Sequence, residues 1–213
     1  PADHTQQVAK VTYDEAVAWG HRPEDMTLLP CGFDPSRLDV SLDRAALRAK
    51  HGIAPDTKVI LSIAALNRGH KRTDHLVDEV AQLEGDVLLW MDGSLDHGDP
   101  DLVDYARNRL GPRVRITHVP SHQVGELYHL ADVMPHAATN ESFGLALVEA
   151  ASCDLPVLAH DSPHFAWLLG NPASLVDMRA KGALAARLRT VLADPEQLAA
   201  LRCREHVLAN FAW

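Results

Sequence analysis

The chain has 213 residues, 46% hydrophobic and 23% charged, with a formal net charge of −9. That length and balance support a buried core and exclude a disordered chain. The acidic excess excludes a general nucleic-acid or membrane-surface binder, because phosphate backbones and anionic headgroups repel such a surface; a local basic pocket for one phosphate ligand stays compatible with it. Cys31, Cys153 and Cys203 fit neither a disulfide framework nor a zinc site, so reduced thiols and a cytoplasmic location are expected. Pro1-Ala2-Asp3-His4 does not open a signal peptide, and the apolar run Val59–Leu66 is far short of the roughly 20 residues that span a bilayer. The 13 histidines are scattered. His118 and His122 share a helical spacing, as do His160 and His164, but Pro120 and Pro163 interrupt the two pairs, so no metal is expected.

In chain order, a helix is expected over Thr12–Trp19, ending at Gly20, followed by a lone strand at Met26–Leu29 and a turn-rich linker, Cys31-Gly32-Phe33-Asp34-Pro35. A regular alternation then begins. Val59–Ile63 is a strand, Thr73–Leu83 a helix, Val87–Met91 a strand, and Leu102–Leu110 a helix ended by Gly111-Pro112. Val114–Ile116 is a short strand, Val124–Ala131 a helix, and Asp132-Val133-Met134 the start of another strand. A helix over Gly144–Cys153 leads into a strand at Leu155–Ala159, a weaker strand at Ser174–Val176, and helices over Gly182–Leu192 and Pro195–Asn210. Strands apolar on both faces, alternating with helices, predict an α/β fold: a doubly wound, Rossmann-like parallel sheet. Ligands of such sheets bind beyond the carboxyl ends of the strands. The loops Asn67–Arg72, Asp92–Asp96, Val119–His122 and Asn140–Gly144 are expected at that edge.

One stretch carries most of the chemistry: Asn140-Glu141-Ser142-Phe143-Gly144-Leu145-Ala146-Leu147-Val148-Glu149. A polar loop delivers one carboxylate, and an apolar helix then opens with free N–H groups and the positive end of its dipole, a phosphate site. Eight residues at roughly 100° each bring Glu149 within about 80° of Glu141 in projection, so both acids can face one cleft. Two acceptor carboxylates flanking an anion site suit a ligand with hydroxyls on both sides of a phosphate, such as a sugar nucleotide; a buried helix with a solvated acid at each end has the same spacing.

Several segments, in order, resemble the C-terminal half of a retaining GT-B glycosyltransferase of family four. They are Leu61 to Lys71, Leu127-Tyr128-His129-Leu130-Ala131-Asp132-Val133, Glu141 to Glu149 with Phe143-Gly144 inside it, and Leu155-Pro156-Val157-Leu158-Ala159. Leu29 to Asp34 is similar to the segment joining the family's two domains, and Phe211-Ala212-Trp213 to its returning aromatic stretch. The resemblance implies that residues 1–34 are the tail of an acceptor domain and a linker, that 35–213 are the Rossmann-like donor-binding domain, and that the rest of the acceptor domain and a final helix lie outside this chain. It implies transfer with retention from a nucleoside diphosphate sugar, without a metal or other cofactor, to an unknown acceptor.

The resemblance also implies residue roles. Lys71 neutralises the departing diphosphate, and the arginine usual beside it falls on Ala65, so Arg68 or Arg72 is expected to supply that charge. Glu141 binds hydroxyls of the transferred sugar, with Lys71 the catalytic pair of this reading. The backbone of Phe143-Gly144-Leu145 holds sugar and phosphate, Ser142 replaces a usual glycine, Glu149 takes the ribose, and Val119-Pro120 meets the base. Asp154 replaces another usual glycine, where a left-handed cap is expected. Two other readings share these residues: a sugar-nucleotide epimerase of GT-B fold, and a nucleotide-binding module without transfer.

Overall fold

The computed structural model describes residues 4–95 and 99–213. At the start, β1 (Thr5–Gln7) pairs in parallel with β2 (Met26–Leu28), with α1 (Lys10–Ala18) between them. The strand at Met26 is therefore not lone. Its partner, Thr-Gln-Gln, carries no apolar alternation to announce it. The next helix, α2 (Arg44–Lys50), is absent from the sequence reading; Asp43 caps it, accepting from the Ala46 N–H at 2.8 Å.

Six parallel strands follow: β3 (Lys58–Ile63), β4 (Val87–Asp92), β5 (Val114–Thr117), β6 (Met134–Pro135), β7 (Val157–His160) and β8 (Leu175–Val176). Leu61 lies opposite Trp90 and Met91 opposite Ile116, while β7 joins β6 to β8. The two halves meet at an Ile60–Val133 bridge, where the Leu61 N–H donates to the Val133 carbonyl at 2.9 Å. The order is thus β5-β4-β3-β6-β7-β8. Counted from β3 as the first strand, this is the 3-2-1-4-5-6 order of a doubly wound sheet, with its switch point between β3 and β6.

Successive residues of a central strand feed opposite faces. Val59 and Leu61 join a core with Leu47, Leu127, Leu147, Phe165 and Val207, whereas Ile60 joins one with Leu76, Leu102 and Leu184. Five helices cover the first face: α2, α5 (Val124–Leu130), α6 (Leu145–Ser152), α7 (Pro163–Leu169) and α10 (Arg204–Phe211). Three cover the second: α3 (Thr73–Ala81), α4 (Leu102–Leu110) and α8 (Ala183–Ala193). Asp154 has φ 59°, the left-handed cap its position called for.

The helix expected over Pro195–Asn210 is two helices, α9 (Pro195–Ala199) and α10. Distant side chains take the carbonyls that would have continued it. Asn171 Nδ2 donates to the Ala200 and Arg202 carbonyls at 2.8 and 3.2 Å, and Ser174 Oγ to Leu201 at 3.0 Å. Beyond α10 the chain turns back on the linker: the Phe33 N–H donates to the Phe211 carbonyl at 3.1 Å and the Trp213 N–H to the Phe33 carbonyl at 3.0 Å. Among the described residues, no helix is long and apolar enough to cross a membrane.

Candidate donor site

Where β3 and β6 part, a cavity of about 840 Å³ opens beyond their carboxyl ends. Its floor is the end of β3, with Ala64 and Ala65, and the turn after β4, where Gly93 crosses against the Ala64 carbonyl. A Cβ on Gly93 would stand 1.9 Å from that oxygen, so only glycine permits the crossing. Asp92, buried at the end of β4, accepts from Thr117 Oγ1 at 2.6 Å and from the Val119 N–H at 2.9 Å. It thereby fixes Val119 and Pro120 along one wall. The expected loop Asp92–Asp96 reaches this edge, and its last residue, Asp96, lies outside the described residues.

The opposite wall is the acidic motif. Gly144, at φ 103°, turns the chain into α6, and the first turn of that helix lines the cavity with Leu145, Ala146 and Leu147. The Phe143 side chain points the other way, edge-on to Phe211 at 5.4 Å, and its carbonyl is held by His164 Nε2 at 2.8 Å. Only the backbone of Phe143 can therefore serve a ligand. Ser142 is exposed at the cavity edge.

Glu141 is the most constrained group here. Its side chain is 6% exposed, and Oε1 receives Lys71 Nζ at 2.5 Å and His136 Nε2 at 2.6 Å. Burial pushes its pKa up, but the His136 and Lys71 contacts outweigh that and hold it at about 2, so it stays ionised. Oε2 lies 3.7 Å from His70 Nε2 and can accept further hydrogen bonds. Glu149, in the second turn of α6, also faces the cavity; because the helix starts only at Leu145, the loop before it, and not helical pitch, brings Glu141 to the same cleft. Burial raises its pKa, opposed by a 3.0 Å hydrogen bond from Tyr128 Oη. One motif thus carries two carboxyls shifted in opposite directions.

Lys71 reaches the cavity because its own N–H donates to Asn67 Oδ1 at 2.8 Å, folding the loop back over the end of β3. Neither arginine expected to replace the one missing at Ala65 is in place. Arg68 pairs with Asp99 at 3.1 Å and Asp101 at 2.9 Å and lies over the Tyr105 ring. Arg72, left-handed at φ 51°, donates to the Met178 and Ala137 carbonyls at 2.5 and 3.3 Å. Both turn away, the first toward α4 and the second toward the segments after β6 and β8. Among the described residues, Lys71 is the one Lys or Arg lining the cavity.

His136 is the residue the sequence reading missed. It directly follows the two-residue strand β6 and is almost fully buried, with its ring edge-on to Phe165 at 6.1 Å. The available signal was positional: a polar residue just past a strand, at the carboxyl edge and beside the switch point.

The sequence model of the family described as "Glycosyl transferases group 1" matches residues 43–205. The chain belongs to that family. Among curated relatives, the D-inositol 3-phosphate glycosyltransferase of Rhodococcus jostii (strain RHA1) is 28% identical over 225 residues, covering 94% of this chain and 50% of that protein. The one from Mycolicibacterium smegmatis (strain ATCC 700084 / mc(2)155) is 31% identical over 198 residues, covering 84% and 45%. This group 1 glycosyl transferase chain spans about half the length of the curated relatives it matches. In fold it is similar to Anabaena HepE, solved with UDP and glucose, at a TM-score of 0.84 and 22% identity over 99% of this chain and 59% of that one. It is also similar to the sucrose-phosphate synthase of Thermosynechococcus elongatus, at 0.83 and 25% over 100% and 55%. The C-terminal domain of a group 1 glycosyl transferase from Francisella tularensis matches at 0.71 and 17% over 84% and 98%.

Proposed function

We propose that this chain binds the nucleoside diphosphate sugar of a retaining, metal-independent glycosyl transfer, and that an acceptor domain elsewhere in the full-length protein completes the active site. The observation that carries this is the convergence of Lys71, Glu141 and the first turn of α6 on one cavity at the switch point. In this reading Lys71 and the helix-start amides take the diphosphate, supplying the positive charge a metal would otherwise bring. Glu141 Oε2 takes a hydroxyl of the transferred sugar, Glu149 the ribose, and the Val119-Pro120 wall the base. Residues 1–34 belong to the acceptor side and 35–213 to the donor domain. The separate pairing of β1 with β2 supports that division.

Calorimetry with UDP, GDP, ADP and dTDP, each with and without EDTA, tests the reading. At least one diphosphate is expected to bind equally well under chelation. Failure of all four would overturn the donor site, and loss on chelation would overturn metal independence. A second reading, nucleotide binding without transfer, is favoured by the diversion of Arg68 and Arg72 beside Ala65. Full-length protein incubated with a sugar-nucleotide panel separates the two: binding without transfer or donor hydrolysis selects the second.

A further inference from the structure

The site as folded poses a charge problem. Lys71 Nζ is already engaged by the Glu141 carboxylate, so the cation and the acid largely cancel before any diphosphate arrives. Arg68 and Arg72 are turned away, and Ala65 offers nothing. His136 is the other group on the same carboxylate oxygen, 2.6 Å from it and lining the same cavity.

We propose that binding at this site is proton-linked through His136: the protonated imidazole takes over Glu141 and releases Lys71 to the diphosphate. The inference rests on the donor-site reading and adds to it an exchange of partners. A carboxylate only accepts, so Nε2 of His136 carries hydrogen in both states. The added proton therefore comes from buffer to Nδ1, with no other bond made or broken. With imidazole neutral, Lys71 and Glu141 sum to zero; with imidazolium, the trio carries one positive charge. The titratable and charged groups around the ring fit this role. Glu141 and Lys71 meet it from two loops, His70 stands beyond Glu141 at 3.7 Å, and His164 lies behind Phe165, with ring centroids 5.1 Å apart. The depressed pKa of Glu141 agrees with a carboxylate that stays charged throughout.

UDP-glucose and GDP-mannose are suitable probes, because their diphosphates do not titrate near neutral pH. At about pH 8, above the ordinary histidine value, calorimetry in two buffers of different ionisation enthalpy should show uptake approaching about one proton per ligand bound. Affinity should fall by up to about tenfold per pH unit there. His136→Gln keeps a donor toward Glu141 but cannot gain a proton. It should bind more weakly, take up none, and lose the pH dependence. Binding by wild type without proton uptake, or equal uptake by His136→Gln, would overturn the proposal. If neither sugar nucleotide binds and UDP, GDP, ADP and dTDP fail as well, the donor reading fails and the linkage with it. A titration of the ¹⁵N-labelled imidazole in the ligand-free chain separates that failure from one in the pairing. The imidazole titration of His136 should differ between wild type and Glu141→Gln, and superimposable titrations overturn the pairing even where a sugar nucleotide binds.

Discussion

Two buried acid–base clusters sit at opposite ends of the same sheet, and they differ in what they leave free. At the amino end of β3, Asp132 accepts from Arg44 and Arg48, both at 2.7 Å, and from the Val59 N–H at 2.7 Å. Arg48 spends its other donors on the Leu130, Pro55 and Thr57 carbonyls. Donors and acceptors there match one another, tying α2, β3 and the start of β6 together. At the carboxyl end, Glu141 is more buried still, yet Lys71 and His136 crowd one oxygen and leave the other toward an open cavity. The same residue types thus make a rivet at one end and an incompletely used site at the other. Unspent hydrogen-bonding capacity, rather than burial or charge, separates them.

That distinction breaks most visibly through Arg48. Arg48→Ala would remove the buried one of the two guanidinium partners of Asp132, leaving Arg44 and the Val59 N–H, and would unpair three carbonyls, a loss of about 3–5 kcal/mol in unfolding free energy by urea titration. Sugar-nucleotide binding by the folded fraction should be unchanged. If Arg48→Ala costs no more stability than Lys71→Ala, the two clusters are not different in kind.

Acid tests the other end. The Glu141 carboxyl sits at about 2 against an ordinary 4.5, so the folded state favours its ionised form. The contribution is complete above the unfolded value and is lost as pH falls from about 4.5 toward about 2, a change of roughly 3 kcal/mol at most. Stability of Glu141→Gln should therefore vary less across that window than wild type. Parallel curves would mean that Lys71 and His136 do not hold the carboxylate.

Lys71→Ala is expected to weaken nucleoside diphosphate binding by about 1.5–3 kcal/mol, roughly ten- to a hundredfold, and to leave nucleoside binding almost unchanged. Intact diphosphate affinity would make this loop an ordinary surface and displace the donor site.

What could be read in advance follows a physical line. The β3 and β4 cores were legible because Val59-Ile60-Leu61 and Val87-Leu88-Leu89 carry their own pattern; Glu141 and Glu149 do line one cleft, but the left-handed turn at Gly144, and not the pitch of a continuous helix, puts them there. The targets of Arg68 and Arg72 were not legible. One depends on Asp99 and Asp101 some thirty residues on, the other on Met178 more than a hundred residues on. The break between α9 and α10 was hidden for the same reason, since Asn171 and Ser174 make it from outside the segment. By contrast, α7 was announced by Ser162-Pro163 at its start and Gly170 at its end, and could have been read.

The smallest expected effect sharpens the contrast inside the motif itself. Glu149 is buried with Tyr128 donating to it, and burial raises its pKa. Folding therefore disfavours its charged form, and the cost appears as pH rises through the folded value. Glu149→Gln keeps the shape and an acceptor for Tyr128 without the charge. Near neutral pH it should match wild-type stability or exceed it by up to about 1 kcal/mol, and the difference should shrink as pH falls into the ordinary carboxylate range. Donor affinity should nevertheless drop about tenfold, because a neutral amide is a weaker partner than a carboxylate for ribose hydroxyls. Equal or better stability with poorer binding would place Glu149 among residues kept for a ligand at the fold's expense. A clear loss of stability instead would assign it, with Asp132, to holding the fold.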